Sequence, residues 1–258
     1  MKIDRRACAT GIIGLALAPA AQAQARDKAL DAAIASSGRR PANRARDPYR
    51  HPYASLVFWG LRPGQTIVEL DAGAAGYWRE VLQSYAAATD GRYVGAAPYF
   101  QEGPGGSRRE LSSPLAEARS ADLVLTARNF HNYMWNPGLL PKVLADVHAV
   151  LKPGGVLAVE EHRADPKPQV DAPGRPAANG YMSVANVVSA VQASGFSLEA
   201  HSEINANPKE IKDYPFGVWT LPPTRQSSSG ASLLSDTDRA RYDSIGESDR
   251  MTLRFRKV

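Results

Sequence analysis

The stretch Thr66-Ile67-Val68-Glu69-Leu70-Asp71-Ala72-Gly73-Ala74-Ala75-Gly76-Tyr77-Trp78 constrains this chain more than any other. An apolar run ends in an acidic residue. A turn of small residues follows, and then a helical pattern from Trp78 to about Ala88. Strand, tight turn and helix start in that order build the nucleotide-type pocket of α/β proteins. Small residues let a ligand approach the backbone, and the helix start presents unpaired N–H groups. Against the fingerprint G-x-G-x-x-G, Asp71 stands where the first glycine belongs, and only Gly73 and Gly76 fit. The same loop also suits an ordinary strand-to-helix connection, so other features must decide.

The first residues read as a separate unit. Lys2, Arg5 and Arg6 form a basic start, Ala7 to Leu17 an apolar run, and Ala21-Gln22-Ala23 a small-x-small cleavage site. This is the pattern of a secretory signal peptide over 1–23 and predicts an exported, periplasmic protein. The apolar run falls short of the roughly 20 residues a membrane span needs, so no stable membrane anchor is expected after cleavage. The sole cysteine, Cys8, lies in that segment, and the expected mature chain therefore has no thiol chemistry and no disulfide. Of the net charge of +5, Lys2, Arg5 and Arg6 less Asp4 carry +2, which leaves +3. That is mild. Arg39, Arg40, Arg44 and Arg46 cluster without interleaved aromatics, which predicts a solvated, flexible arm over 24–46 and no nucleic-acid partner.

Beyond the arm, strand and helix patterns alternate. Asp47-Pro48 opens an aromatic helix that runs to Gly60, with Arg50 expected in solvent. Strands are expected at 66–70, 92–96, 122–126, 156–159, 196–204 and 251–256, and helices near 78–88, 115–119, 139–151 and 184–193. Residues 98–113 show no strand pattern, and 205–243 read as Pro-, Gly- and Ser-rich loops. The alternation predicts an α/β fold, doubly wound around a mostly parallel sheet, with an antiparallel pair at the end of the chain.

Three blocks carry a resemblance: Val68 to Gly73, Ala121 to Leu125, and Leu151-Lys152-Pro153-Gly154-Gly155-Val156-Leu157. Together they resemble class I S-adenosylmethionine-dependent methyltransferases. Arg128 to Asn132, Glu161 to Ala164, Ser202 to Pro208, Tyr214 to Pro223 and Gly246 to Met251 resemble a narrower group, the exported, predicted methyltransferases of bacteria. The resemblance implies a Rossmann-like sheet of seven strands with the last one antiparallel. It implies a methyltransferase-like domain over 47–258, with an insertion at 205–245 before the last strand. It also implies S-adenosyl-L-methionine as cofactor, with Glu69, Asp71, Gly73, Ala75, Gly76 and Asn129 as the residues that bind it. The sequence departs from the family at Asp71, at Ala75, and after the second strand. There Ala96-Ala97-Pro98 offers no carboxylate for the ribose. A dinucleotide enzyme fits less well, because it too needs that acid.

Methyl transfer from a sulfonium needs a nucleophile held in line and relieved of its proton. His131, after the strand at 122–126, the fourth in the implied family order, suits that base role, since imidazole titrates near neutral pH; it also suits a structural bond to a loop carbonyl. His162 ends the next strand on the same rim. Strand alternation places Glu160 and His162 on one face and Glu161 and Arg163 on the other, with the neighbour of His162 expected to pair at the surface. Asn132, Arg163 and Trp219 are the candidate substrate contacts, for a small-molecule acceptor. His131, His162 and a glutamate show no metal-type spacing, and no metal is expected. A catalytically degenerate fold that serves as an exported binding protein is the alternative.

Overall fold

The computed structural model describes residues 26–98, 114–165 and 177–258. The expected signal peptide and nearly all of 98–113, the stretch without a strand pattern, lie outside them. In chain order the elements are α1 (Lys28–Ala35), α2 (Pro41–Arg44), α3 (Asp47–Arg50), α4 (Pro52–Phe58), β1 (Thr66–Leu70), α5 (Tyr77–Ala88), β2 (Arg92–Ala96) and β3 (Ala121–Ala127). There follow α6 (Phe130–Met134), α7 (Leu139–Val150), β4 (Leu151–His162), α8 (Val184–Gln192), β5 (Phe196–Ser202), β6 (Ser228–Ser229), β7 (Ser232–Leu233), α9 (Asp236–Ile245) and β8 (Arg250–Lys257).

Among the described residues the main sheet has six strands, not the seven expected, in the order β2-β1-β3-β4-β8-β5. β1 to β4 pair in parallel, while β8 is antiparallel to both its neighbours. The β-branched and leucine runs of β1, β3 and β4 suit strands covered on both faces. Alternation sends Val68, Val124, Leu157 and Val159 to the face under α7 and α8. Ile67, Leu123, Leu125 and Ala158 go to the face under α4 and α5, where Trp59, Trp78 and Tyr85 fill the core. Each such large side chain contributes about 1.5–3 kcal/mol by leaving water.

Four local expectations are corrected. The single helix from Asp47 to Gly60 is two, α3 and α4. His51 between them has φ 43° and closes α3 as a left-handed cap with its N–H on Asp47 O, so the helix cannot run on into Pro52. The segment 115–119 forms turns rather than a helix. The 205–243 region carries α9, capped by the Ser235 hydroxyl on Asp238 N. It is a polar helix that buries only Tyr242, so its apolar stripe is too thin to read.

The fourth correction concerns the arm, which is docked. Asp27 caps α1 and accepts the Tyr85 hydroxyl at 2.6 Å. Leu30 and Ala33 enter the core, and Arg39 is buried in a two-pronged pair with Asp47 at 2.8 Å on each prong. A carboxylate fork makes burial of a guanidinium tolerable, and that partner is not visible from the arm's own composition.

Candidate active site

From β1 the chain crosses to β2 on one side and returns to β3 on the other. This is the topological switch point where open α/β sheets bind ligands, beyond the carboxyl ends of the strands. The 71–76 turn lies there. Asp71 sits in the left-handed region at φ 45°, which aspartate tolerates better than most residues, and its N–H donates to Ala96 O at 2.8 Å. Its carboxylate accepts the Tyr133 hydroxyl at 2.8 Å. The glycine replacement is thus accommodated by the backbone and held by α6. Gly73 has φ 66°, and among the described residues beyond its chain neighbours a Cβ there would find nothing closer than 4.0 Å. No described residue covers the face of the turn at Gly73.

Behind the turn, Asn43 donates to Ala75 O at 2.8 Å, so α2 braces the loop. Gly76, also left-handed, lies against the Arg79 guanidinium, which would have to swing aside for a Cβ. Asn129 Nδ2 reaches Leu70 O at 3.3 Å and Ala127 O at 3.2 Å, tying the ends of β1 and β3 together. Glu69 is buried beneath the turn and accepts the Tyr93 hydroxyl at 2.8 Å. Burial pushes its carboxyl up to about 7, against the opposing pull of the Tyr93 hydrogen bond and of Arg79, Arg128 and Arg50.

On the same rim, between β3, β4 and the entry to β8, lies a cavity of about 120 Å³. His131, Asn132, His162, Trp219, Arg128 and Ser248 are among its walls. His131 Nδ1 meets Glu161 Oε1 at 2.9 Å. The same carboxylate accepts Phe130 N at 2.7 Å and His162 N at 2.8 Å. His162 Nδ1 meets Ser248 Oγ at 2.6 Å. Each ring is therefore fixed through Nδ1, and each Nε2 has no partner among the described residues. The two rings stand 5.5 Å apart between centroids, and Trp219 meets His131 edge-on at 5.9 Å. Burial, then the fields of His131, Arg128, Arg250 and Arg50, hold the His162 pKa well below the usual imidazole value, so this ring is neutral.

Ligand atoms of His131, Glu161 and His162 come within 4.8 Å of one another. The donor set still fits a cation poorly. Glu161 already accepts from three groups at 2.9 Å or less, and Arg128 and Arg250 line the same cavity. Only two imidazole nitrogens remain, in a positive field.

The sequence-predicted residues therefore separate. His131, His162, Asn132 and Trp219 meet at the cavity. Glu69, Asp71, Gly73, Ala75, Gly76 and Asn129 form or brace the turn. Arg163 belongs to neither group: it grips Asp249 at 2.6 and 3.0 Å and both Glu203 oxygens at 2.7 and 2.8 Å. Both glutamates beside His162 are buried rather than at the surface, because α6 covers Glu161, and Trp78 and Arg250 cover Glu160. Arg50, expected in solvent, is fully buried. Arg128, Glu247 and Ser248 were not singled out from the sequence, although the blocks that hold them were. Their signal is position, at the exit of β3 and the entry of β8.

No protein-family model matches this chain, and no curated protein matches it. Solved structures do. The [4+2]-cyclase SpnF aligns with a TM-score of 0.51 at 13% identity, over 83% of this chain and 81% of that one. A geranyl diphosphate C-methyltransferase from Streptomyces coelicolor A3(2), crystallised with Mg2+, geranyl diphosphate and S-adenosyl-L-homocysteine, aligns at 0.49 and 14% identity over 88% and 87%. An S-adenosylmethionine-dependent methyltransferase from Mesorhizobium loti aligns at 0.44 and 16% over 79% and 96%. The likeness is one of fold, a Rossmann-like, mostly parallel α/β sheet with an antiparallel strand.

Proposed function

We propose that this chain transfers a methyl group from S-adenosyl-L-methionine to a small-molecule acceptor, with His131 as the base that takes the acceptor's proton. One observation carries the reading. The His131 ring is locked by Glu161 at the strand ends, on the same rim as the turn at 71–76. When bound, S-adenosyl-L-methionine supplies an electrophilic methyl group on a sulfonium. Asp71, Gly73, Ala75 and Gly76 would hold its methionine part, and Glu69 and Asn129 would keep the turn in shape. The face of Gly73, which no described residue covers, suits close approach to the backbone.

The remaining work falls to the chain's own side chains. Glu161 at Nδ1 orients His131 so that Nε2 faces the cavity, the arrangement of a general base steadied by a carboxylate. His162 stays neutral and offers a second imidazole edge. Trp219 lines the cavity beside His131, and Trp135 packs on both of those rings. The first 23 residues are read as an export signal, which N-terminal sequencing of the protein recovered from the cell envelope checks.

A second reading is favoured by one feature. Ala97 and Pro98 follow β2 where a carboxylate would hold the ribose, which suits a fold retained for binding alone. Calorimetric titration with S-adenosyl-L-methionine and S-adenosylhomocysteine separates the two. Micromolar binding, lost in Gly73→Trp, supports the methyltransferase. No heat and no thermal shift at millimolar ligand favours the binding protein.

A further inference from the structure

Charge does not balance around the cavity. Arg46, Arg50, Arg128 and Arg250 surround two carboxylates, Glu160 and Glu247, and a third, Glu161, is taken up by His131 and two backbone amides. Arg46 and Arg50 both reach Glu247, Arg250 reaches both Glu160 and Glu247, and no carboxylate is left for Arg128 among the described residues. Even with Glu161 counted, four cations stand against three anions among these described groups. Glu69 and Arg79 stand nearby and cancel each other at most.

The donors show the same imbalance. Arg50 is 0% exposed and donates to Glu247 through Nε, yet among the described residues both its terminal nitrogens lack a hydrogen-bond partner, as do Arg46 Nη2 and Arg128 Nε. Buried guanidinium donors left without acceptors are costly, and folds keep them only where something completes them. Burial, with Arg128 next, draws the Arg50 pKa down to about 9. Arg128 itself has φ 61°, a left-handed conformation unusual for arginine, held by its N–H on Glu160 O at 2.7 Å. With Arg250 and Glu247 it lines the cavity beside His131, His162 and Asn132, but Arg250 is engaged by Glu160, Glu247 and Tyr49 O, whereas Arg128 has no carboxylate partner among the described residues.

We propose that the cavity receives an anionic group, a carboxylate or a phosphate, docked on Arg128 with Arg50 and Arg250 supplying positive potential behind it, and that this group belongs to the acceptor. The last clause rests on the methyltransferase reading; the anion site does not. Arg128 is the contact and His131 stands beside it, so an acceptor anchored by its anion would present a neighbouring group to the base.

The test uses the full chain with inorganic phosphate and acetate as probes, at constant ionic strength set with chloride, read by calorimetry and thermal shift. Saturable binding of either anion is expected, weakened at least tenfold in Arg128→Gln and less in Arg128→Lys, which keeps the charge. Arg44→Gln, an exposed arginine elsewhere, should leave it unchanged. Absence of saturable binding of both anions, or equal binding in wild type and Arg128→Gln, overturns the site. Repeating the titration with S-adenosylhomocysteine present locates the anion's source. Unchanged affinity supports the acceptor, and competition overturns that assignment in favour of the cofactor's own carboxylate. Since the anion is measured without cofactor, failure of cofactor binding leaves this test standing.

Discussion

His131 Nδ1 lies 2.9 Å from Glu161 Oε1, and both side chains are buried. The carboxylate spans α6 and β4, because it also accepts the Phe130 and His162 amides. It sets the direction of the ring and closes the start of a short helix with one group.

His131→Gln removes the imidazole while keeping a polar side chain of similar reach. In the methyl-transfer reading it lowers kcat by about 10²–10⁴-fold and leaves calorimetric binding of S-adenosylhomocysteine within twofold. Glu161→Ala strands two buried amide donors and costs about 2–4 kcal/mol in chemical denaturation. Cofactor binding lost together with kcat in His131→Gln would place the histidine in structure rather than chemistry.

Glu247 ties Arg46, Arg50 and Arg250 together. Burial alone would raise its carboxyl, but the three guanidinium groups overrule it and hold it well below the usual carboxylate range. A depressed carboxyl contributes stability that is present above its unfolded value of about 4.5 and lost as pH falls towards the folded value. Glu247→Gln should cost about 3 kcal/mol at pH 7, and the gap to wild type should narrow below about pH 4.5. Urea melts at pH 7 and pH 3.5 measure it.

Glu69 has the opposite sign. Its folded pKa of about 7 lies above the ordinary 4.5, so the folded state holds the proton more tightly. Stability linked to this group is fully present below about pH 4.5 and declines as pH rises through about 7, by up to roughly 3 kcal/mol. Glu69→Gln keeps an acceptor for Tyr93 and removes the titration. It should melt above wild type at pH 8.5 and at the same temperature at pH 4.5; an equal shift at both would show that the carboxylate is not desolvated.

Gly217 carries the Trp219 segment. Its φ is 56°, and a Cβ would press on the backbone of Asn179, whose carbonyl accepts Val218 N at 2.9 Å. Gly217→Ala should cost at least about 1 kcal/mol and loosen the segment that holds Trp219. Limited proteolysis should then cut within 205–235 faster than in wild type, while Gly154→Ala, also left-handed but with open space, should cut at the wild-type rate.

The strands were legible because apolar runs bounded by turn residues have a direct reading, and β1, β3, β5 and β8 lie within one or two residues of their expected places. That His131 and His162 lie together was legible for a related reason: strand carboxyl ends share a rim. What stayed hidden was partnership. Arginine reads as solvated, yet Arg39 and Arg50 are interior because Asp47 and Glu247 meet them, the latter from nearly two hundred residues away in sequence. Alternation gave Glu161 its face but not its burial, since only α6 packing above β4 supplies the donors it accepts. α9 escaped notice because a polar helix lacks the stripe that reveals one.

β8 enters the sheet between β4 and β5, so residues 250–257 form an interior strand that joins the edge strand β5 to the rest of the sheet. The cavity depends on the same segment, since Glu247, Ser248 and Arg250 line it. A nascent chain emerging from the ribosome must therefore wait. Until those residues leave the exit tunnel, β5 has no neighbour, the arginines near Glu160 have lost half their counter-charge, and neither histidine has a finished chamber to face. Ribosome-stalled chains ending before 247 should remain protease-sensitive over β5, and competence should arrive abruptly with the final strand.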